Sequence, residues 1–172
     1  MNLIKYNNIY PKIDQSAFIA PNATIIGDVT IGAHASIWFG VIIRGDVAKI
    51  TIGKQTNIQD GTVIHVTRGG GNTIIGNNVT IGHKALLHAC HLEDYSFVGM
   101  GAIIMDQVVI ESYAMVAAGS LVTPGKIIPK GEIWAGNPAK FLRKLTSDET
   151  KFIAISAENY CKHAKEYKVI LE

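Results

Sequence analysis

Aliphatic residues recur every six positions along most of this chain. Ile13, Ile19, Ile25, Ile31, Ile37 and Ile43 keep that spacing, as do Ile52, Ile58 and Ile64, then Ile75, Ile81 and Leu87, then Leu92, Val98, Ile104, Ile110, Val116, Val122 and Ile128. Four residues after most of these sits a small or β-branched side chain, among them Ala17, Ala23, Val29, Ala35, Thr56, Thr62, Val79, Ala85, Ala102 and Ser120. That second position and the next aliphatic are two residues apart, so in an extended chain both point to one face. Each period is therefore a short strand with two inward residues, followed by a turn. A unit this short cannot bury its apolar side alone, and stacking of neighbours supplies the core. The pattern predicts an all-β chain, a parallel β-helix over about residues 12–133. A sandwich of short strands would not hold its aliphatics in register for so long.

The period, with Gly following the aliphatic at Gly53, Gly76, Gly82 and Gly99, resembles the hexapeptide-repeat proteins. That resemblance implies three hexapeptides per coil and a left-handed coil. The beat breaks in three places. Ile43 to Ile52 carries three extra residues, placed around 48–51. Ile64 to Ile75 carries five, within the stretch 66–73 that holds Arg68-Gly69-Gly70-Gly71-Asn72. Leu87 to Leu92 is one short. The glycine run lacks the Lys-Ser/Thr ending of a phosphate loop and is predicted as a flexible excursion. Beyond Ile128, Gly136-Asn137-Pro138 predicts a turn. Thr146-Ser147-Asp148-Glu149 has the form of a capping box and predicts a helix over about 147–167. Its inward stripe would be Phe152, Ser156, Tyr160, Ala164 and Tyr167.

A chain of 172 residues predicts one domain, 1–172. Hydrophobic residues make up 48% and charged residues 17%, which suits a dry solenoid interior, and a net charge of +2 without a dense basic cluster gives no sign of nucleic-acid binding. Two cysteines, Cys90 and Cys161, make no disulfide framework. Residues 1–11 lack the apolar core of a signal peptide, and no stretch reaches the ~18 apolar residues of a membrane span. The expected location is cytoplasmic, with no membrane partner.

Three of the six histidines take defined places in the repeat. His65 follows Ile64 and His88 follows Leu87. If each insertion loops out of one hexapeptide, these two stand one coil apart on the same corner, roughly 4.8 Å apart by backbone. Arg44 joins that column. His83 falls on another corner, stacked on Asp60, and a neighbouring chain would have to bring it to the His65–His88 pair in a cyclic trimer. An Arg44–Asp60 bridge would then brace the interface. Counting the eleven-residue gap as two short steps would instead pair His65 with His83. Three imidazoles with an open fourth position are a catalytic zinc arrangement, which yields hydroxide from bound water near neutral pH. Gln59 or Asp60 could hydrogen-bond a ligand imidazole or that water. Cys90 and His91 read as structural, and His34 and His163 as surface residues.

Ile43-Arg44-Gly45-Asp46, then Asn57-Ile58-Gln59-Asp60-Gly61-Thr62-Val63-Ile64-His65, then Ile81-Gly82-His83 through Leu87-His88 resemble the γ-class carbonic anhydrases. The resemblance continues through Val116-Ala117-Ala118-Gly119-Ser120 and Gly136-Asn137-Pro138-Ala139-Lys140. It implies a homotrimer that binds Zn2+, or Fe2+ or Co2+, between subunits. His65 and His88 would come from one chain and His83 from the next, with CO2 and bicarbonate as substrates. It also implies supporting roles for Arg44, Asp46, Gln59 and Asp60. Two features depart from the prototype. The loop after His65 has no carboxylate, and Val47 stands where a second glutamate is expected, so proton transfer should be slow. Two other functions fit a hexapeptide solenoid: an acyltransferase using acyl-CoA, or a scaffold that keeps a metal for trimer stability alone.

Overall fold

The computed structural model describes residues 1–69 and 71–171; Gly70, within the expected excursion, lies outside them. The chain forms a parallel β-solenoid of about seven coils. Strand register shows three hexapeptides per coil: Ile25, Ile43, Ile64, Leu87, Ile104 and Val122 stack on one face. Ile19, Ile37, Ile58, Ile81, Val98, Val116 and Trp134 stack on a second. Ile13, Ile31, Ile52, Ile75, Leu92, Ile110 and Ile128 stack on the third. Most of these side chains are wholly buried, and each such isoleucine contributes roughly 1.5–3 kcal/mol.

All three breaks in the beat fall at one edge, where the Leu87 face turns into the Leu92 face. The expected extra residues after Ile43 are a bulge: in the long strand Ile42–Ile52, Gly45 pairs with Gly27 and Ile50 with Val29. Residues 46–49 thus stand opposite Asp28 alone, so the three-residue surplus lies within 46–49, not 48–51. The excursion after His65 is closed at its base by two backbone hydrogen bonds between Thr67 and Gly71, of 3.0 and 3.2 Å. The opposite edge of that same face keeps regular turns. There Gly82 must be glycine, because a Cβ would lie 2.6 Å from the Met100 amide nitrogen of the next coil.

The C-terminal helix, Ser147–Leu171, runs longer than expected and covers the Ile81 face. The capping box is present: Glu149 N–H donates to Thr146 Oγ1 at 3.2 Å and Thr146 N–H to Glu149 Oε2 at 2.9 Å. The expected stripe is present in Ser156 and Ala164, which are buried, and in Tyr160 and Tyr167, which pack on Trp38; Ile153 and Ala157 join it, while Phe152 is half exposed and touches Phe97 from the flank. Small residues at 156, 157 and 164 let the helix axis approach the sheet. Two elements escaped the pattern. Asn2–Ile4 adds a parallel strand beside Thr24–Ile26, and Gly136-Asn137-Pro138 is the turn of an antiparallel hairpin joining Glu132–Gly136 to Ala139–Lys144. Among the described residues no helix is long and apolar enough to cross a membrane.

Candidate metal centre

His65 and His88 end paired strands and stand directly in register. His65 Nδ1 faces His88 Nε2 at 3.2 Å. The outer nitrogen of each ring meets a carboxylate: His65 Nε2 lies 2.9 Å from Asp46 Oδ1, and His88 Nδ1 lies 2.7 Å from Asp106 Oδ1. The bulge after Gly45 is what turns Asp46 toward His65. Arg44 holds the other oxygen of Asp46, and Thr67 holds the other oxygen of Asp106.

Burial works against ionising Asp46, but hydrogen bonds from His65 and Arg44 outweigh it and hold the carboxyl below its ordinary value. Asp106 follows the same balance: burial raises it, while Thr67 and His88 lower it further. Both carboxylates are therefore charged at neutral pH and accept the outer N–H of their imidazoles. With the outer N–H of each ring spent on a carboxylate, the inner nitrogens face each other across 3.2 Å. That arrangement calls for a cation or a shared proton between them. Two nitrogens bound to one tetrahedral ion at 2.0–2.1 Å would stand about 3.3 Å apart, so the pair fits two ligand positions.

His83 lies on the other edge of the same face, after Ile81. Its Nδ1 is 2.9 Å from Asp60 Oδ2 of the preceding coil, and its ring is half exposed. Gln59 is buried and donates from Nε2 to Asn57 Oδ1 at 3.0 Å. Asn57 donates to Thr80 Oγ1, which meets Ser156 of the helix at 3.1 Å. Among the described residues no group of three or more His, Cys, Asp and Glu side chains is gathered within this one chain to hold a metal.

The expected column of Arg44, His65 and His88 is thus present, as is the stacking of His83 on Asp60. Within the chain Arg44 pairs with Asp46. Asp106 was missed, although it lies two residues after Ile104, one coil beyond Leu87, and the same counting reaches it. Cys90 is buried among the core aliphatics, and burial pushes its thiol up to about 12. His91 is exposed on the outer side of its strand, off the His65–His88 column.

A three-sided parallel solenoid with an imidazole pair at one edge defines a hexapeptide-repeat protein with a histidine pair on its surface. The model for the bacterial transferase hexapeptide (six repeats) matches residues 10–45. The mitochondrial gamma carbonic anhydrase 2 of Arabidopsis thaliana is 54% identical over 155 residues, covering 87% of this chain. The chain spans 56% of that relative's length. A carbonic anhydrase of Geobacillus kaustophilus is 42% identical over 165 residues, covering 96% of this chain and 90% of the relative. The crystal structure of a hexapeptide transferase family protein from Anaplasma phagocytophilum superposes with a TM-score of 0.94 at 54% identity, covering 96% of this chain and 98% of that one. The chain belongs to the γ-carbonic anhydrase family of hexapeptide-repeat proteins.

Proposed function

We propose that the chain is a γ-class carbonic anhydrase that hydrates CO2 reversibly as a homotrimer, with a divalent metal held by His65 and His88 of one subunit and His83 of the next. The observation that carries this reading is the His65–His88 pair, with ring nitrogens facing at 3.2 Å and a carboxylate behind each ring. Asp60 backs His83 in the same manner. A carboxylate behind each ligating imidazole fixes its tautomer and orientation and raises its basicity. An all-imidazole set accepts Zn2+, Fe2+ or Co2+.

The surface between the two edges supports the trimer. The outward residues there are Ile42, Val63 and Leu86, exposed by 37–43%, continued by Ile103 and Leu121 in the same register. If three solenoids turn this face toward a common axis, the His83 edge of each meets the His65–His88 edge of the next. A heterologous ring of that kind closes at three.

A bound divalent ion would supply the Lewis acidity that brings the pKa of a coordinated water to about 7. The chain supplies the rest. Asp46, Asp106 and Asp60 hold the three imidazoles in their ligating tautomers. Gln59 spends its amide N–H on Asn57 and keeps its carbonyl oxygen free to accept from a water or a substrate hydroxyl. Proton export has no local carrier: the loop after His65 offers Thr67 and Arg68, and the position after Asp46 is Val47. Buffer must take the proton. The acyltransferase reading fits less well, because it leaves the three carboxylate-backed imidazoles without a task.

Stopped-flow CO2 hydration on the metal-replete protein tests the reading. The rate should rise with imidazole concentration at fixed pH. A rate equal to buffer alone, with both Zn2+ and Fe2+ and in high buffer, would remove the enzyme and leave a metal-stabilised scaffold.

A further inference from the structure

The segment Gly136–Lys140 helps carry the family resemblance, yet none of its side chains reaches the histidine centre. It forms the turn and return strand of the hairpin that closes the C-terminal end of the solenoid. Gly136 N–H donates to Ser120 Oγ at 3.1 Å and ties the hairpin to the last coils. A cavity of about 370 Å³ lies against it, with Trp134, Pro138, Lys140 and Phe141 of the hairpin and Thr123 and Lys126 among its lining residues. That volume falls in the range of small-ligand pockets.

The lining has a consistent chemistry. Trp134 and Phe141 are cross-strand partners of the hairpin, and Phe141 is 51% exposed. The indole is held in place, because Trp134 Nε1–H donates to Glu132 Oε2 at 2.8 Å. Glu132 is already neutralised through its other oxygen by Lys144 at 2.8 Å. No carboxylate lines the cavity, and neither Lys126 nor Lys140 is in an ion pair among the described residues. The site therefore offers two aromatic side chains beside two lysines outside any ion pair among the described residues. A flat ring gains from the aromatics, and an attached phosphate gains from the lysines.

We infer that this cavity binds a nucleotide, a heteroaromatic ring carrying phosphate. Thr123 follows Val122, which stacks on Ile104 and through it on Leu87. The site thus lies two coils beyond His88, about 10 Å along the solenoid. It is separate from the metal centre, and its occupancy is independent of the activity proposed above.

The chain has two tryptophans, and Trp38 is buried beneath the helix, so Trp134 supplies the responsive fluorescence. ADP should quench it saturably. Adenosine and pyrophosphate, each half of the ligand, should bind at least about tenfold more weakly. The double variant Lys126→Gln/Lys140→Gln should lose about tenfold or more in ADP affinity with adenosine unchanged. Phe141→Ala should weaken ADP without affecting pyrophosphate, which keeps the test open if the double variant does not fold. Trp134→Phe should lose the signal while calorimetry still detects ADP. Metal content should be unchanged in all these variants, which separates this site from the histidine centre. The inference is overturned by an absence of saturable quenching at millimolar ADP, by pyrophosphate or adenosine binding as tightly as ADP, or by quenching that survives Trp134→Phe.

Discussion

The helix-covered face and the bare face are built from the same hexapeptide, and they differ in what their outward residues meet. On the covered face Phe18, Ser36, Asn57 and Thr80 are buried under the C-terminal helix. Their polar atoms are matched: Asn57 to Thr80, Thr80 to Ser156, and Ser36 to the indole N–H of Trp38. On the bare face the same positions hold Ile42, Val63 and Leu86, which stay over a third exposed. The inward positions are aliphatic on both faces, so the repeat encodes the core and says nothing about neighbours. The outward positions encode those. Small and polar groups suit a helix of the same chain, and a ladder of aliphatics flanked by histidine edges suits another copy.

A charge placed in that ladder gives the largest expected effect. Leu86→Glu would leave the solenoid intact, since the side chain points outward, but would bury an unpaired carboxylate in the proposed trimer. Light scattering should show monomer, and apparent metal affinity should fall about a hundredfold or more with β-structure unchanged by circular dichroism. The same change at Ile74, equally exposed on the third face, should leave the trimer whole.

The two edges of the bare face also differ, and that sharpens the comparison. Asp46 is brought to His65 by a bulge, is mostly buried and is held by Arg44 as well. Asp60 reaches His83 by simple stacking and is 43% exposed. Replacing a carboxylate behind a ligand imidazole typically costs 10–100-fold in metal affinity. Asp46→Asn should fall near the upper end, about a hundredfold, and Asp60→Asn near the lower, about tenfold, by metal-buffered titration. Equal losses would mean that burial and the Arg44 contact add nothing.

This contrast also explains what could be read from the sequence. His65 over His88 and Asp60 under His83 follow from counting, because regular coils place residues by register alone. Asp106 was within reach of the same count. The position of the bulge was not, since a surplus of three residues can be absorbed anywhere between Ile43 and Ile52. A Cβ on Gly27 would collide with the Gly45 carbonyl oxygen, and this close packing keeps the two glycines in register and confines the three-residue surplus to the stretch 46–49. The helix was visible through its capping box. Its buried side was visible through Ser156, Tyr160 and Ala164; the burial of Ile153 and Ala157 in place of Phe152 was not, because it depends on the surface beneath the first turns. Asn2–Ile4 is too short and exposed to leave a periodic signal.

The smallest expected effect lies on the covered face. Arg143 and the Thr146 amide hold the Glu149 carboxyl down to about 2, against an ordinary value of 4.5. A folded pKa below the unfolded one stabilises above the unfolded value and is lost as pH falls through the folded one. Glu149→Gln should therefore be less stable than the parent at neutral pH. The gap should narrow below about pH 4.5 and close near pH 2 in urea titrations at stepped pH, while the trimer is unaffected at neutral pH.

The central claim is that each metal centre is completed across two chains. The variants His65→Ala and His83→Ala should each purify nearly free of metal. Mixed in equal amounts under subunit exchange, they should form trimers in which one interface joins an intact His65–His88 pair to an intact His83. Random exchange restores about one quarter of the sites, and elemental analysis of the mixture should find that fraction. Metal content that stays at the level of the separate variants, while labelled wild-type subunits exchange under the same conditions, would mean that all three ligands lie in one chain and would contradict the account.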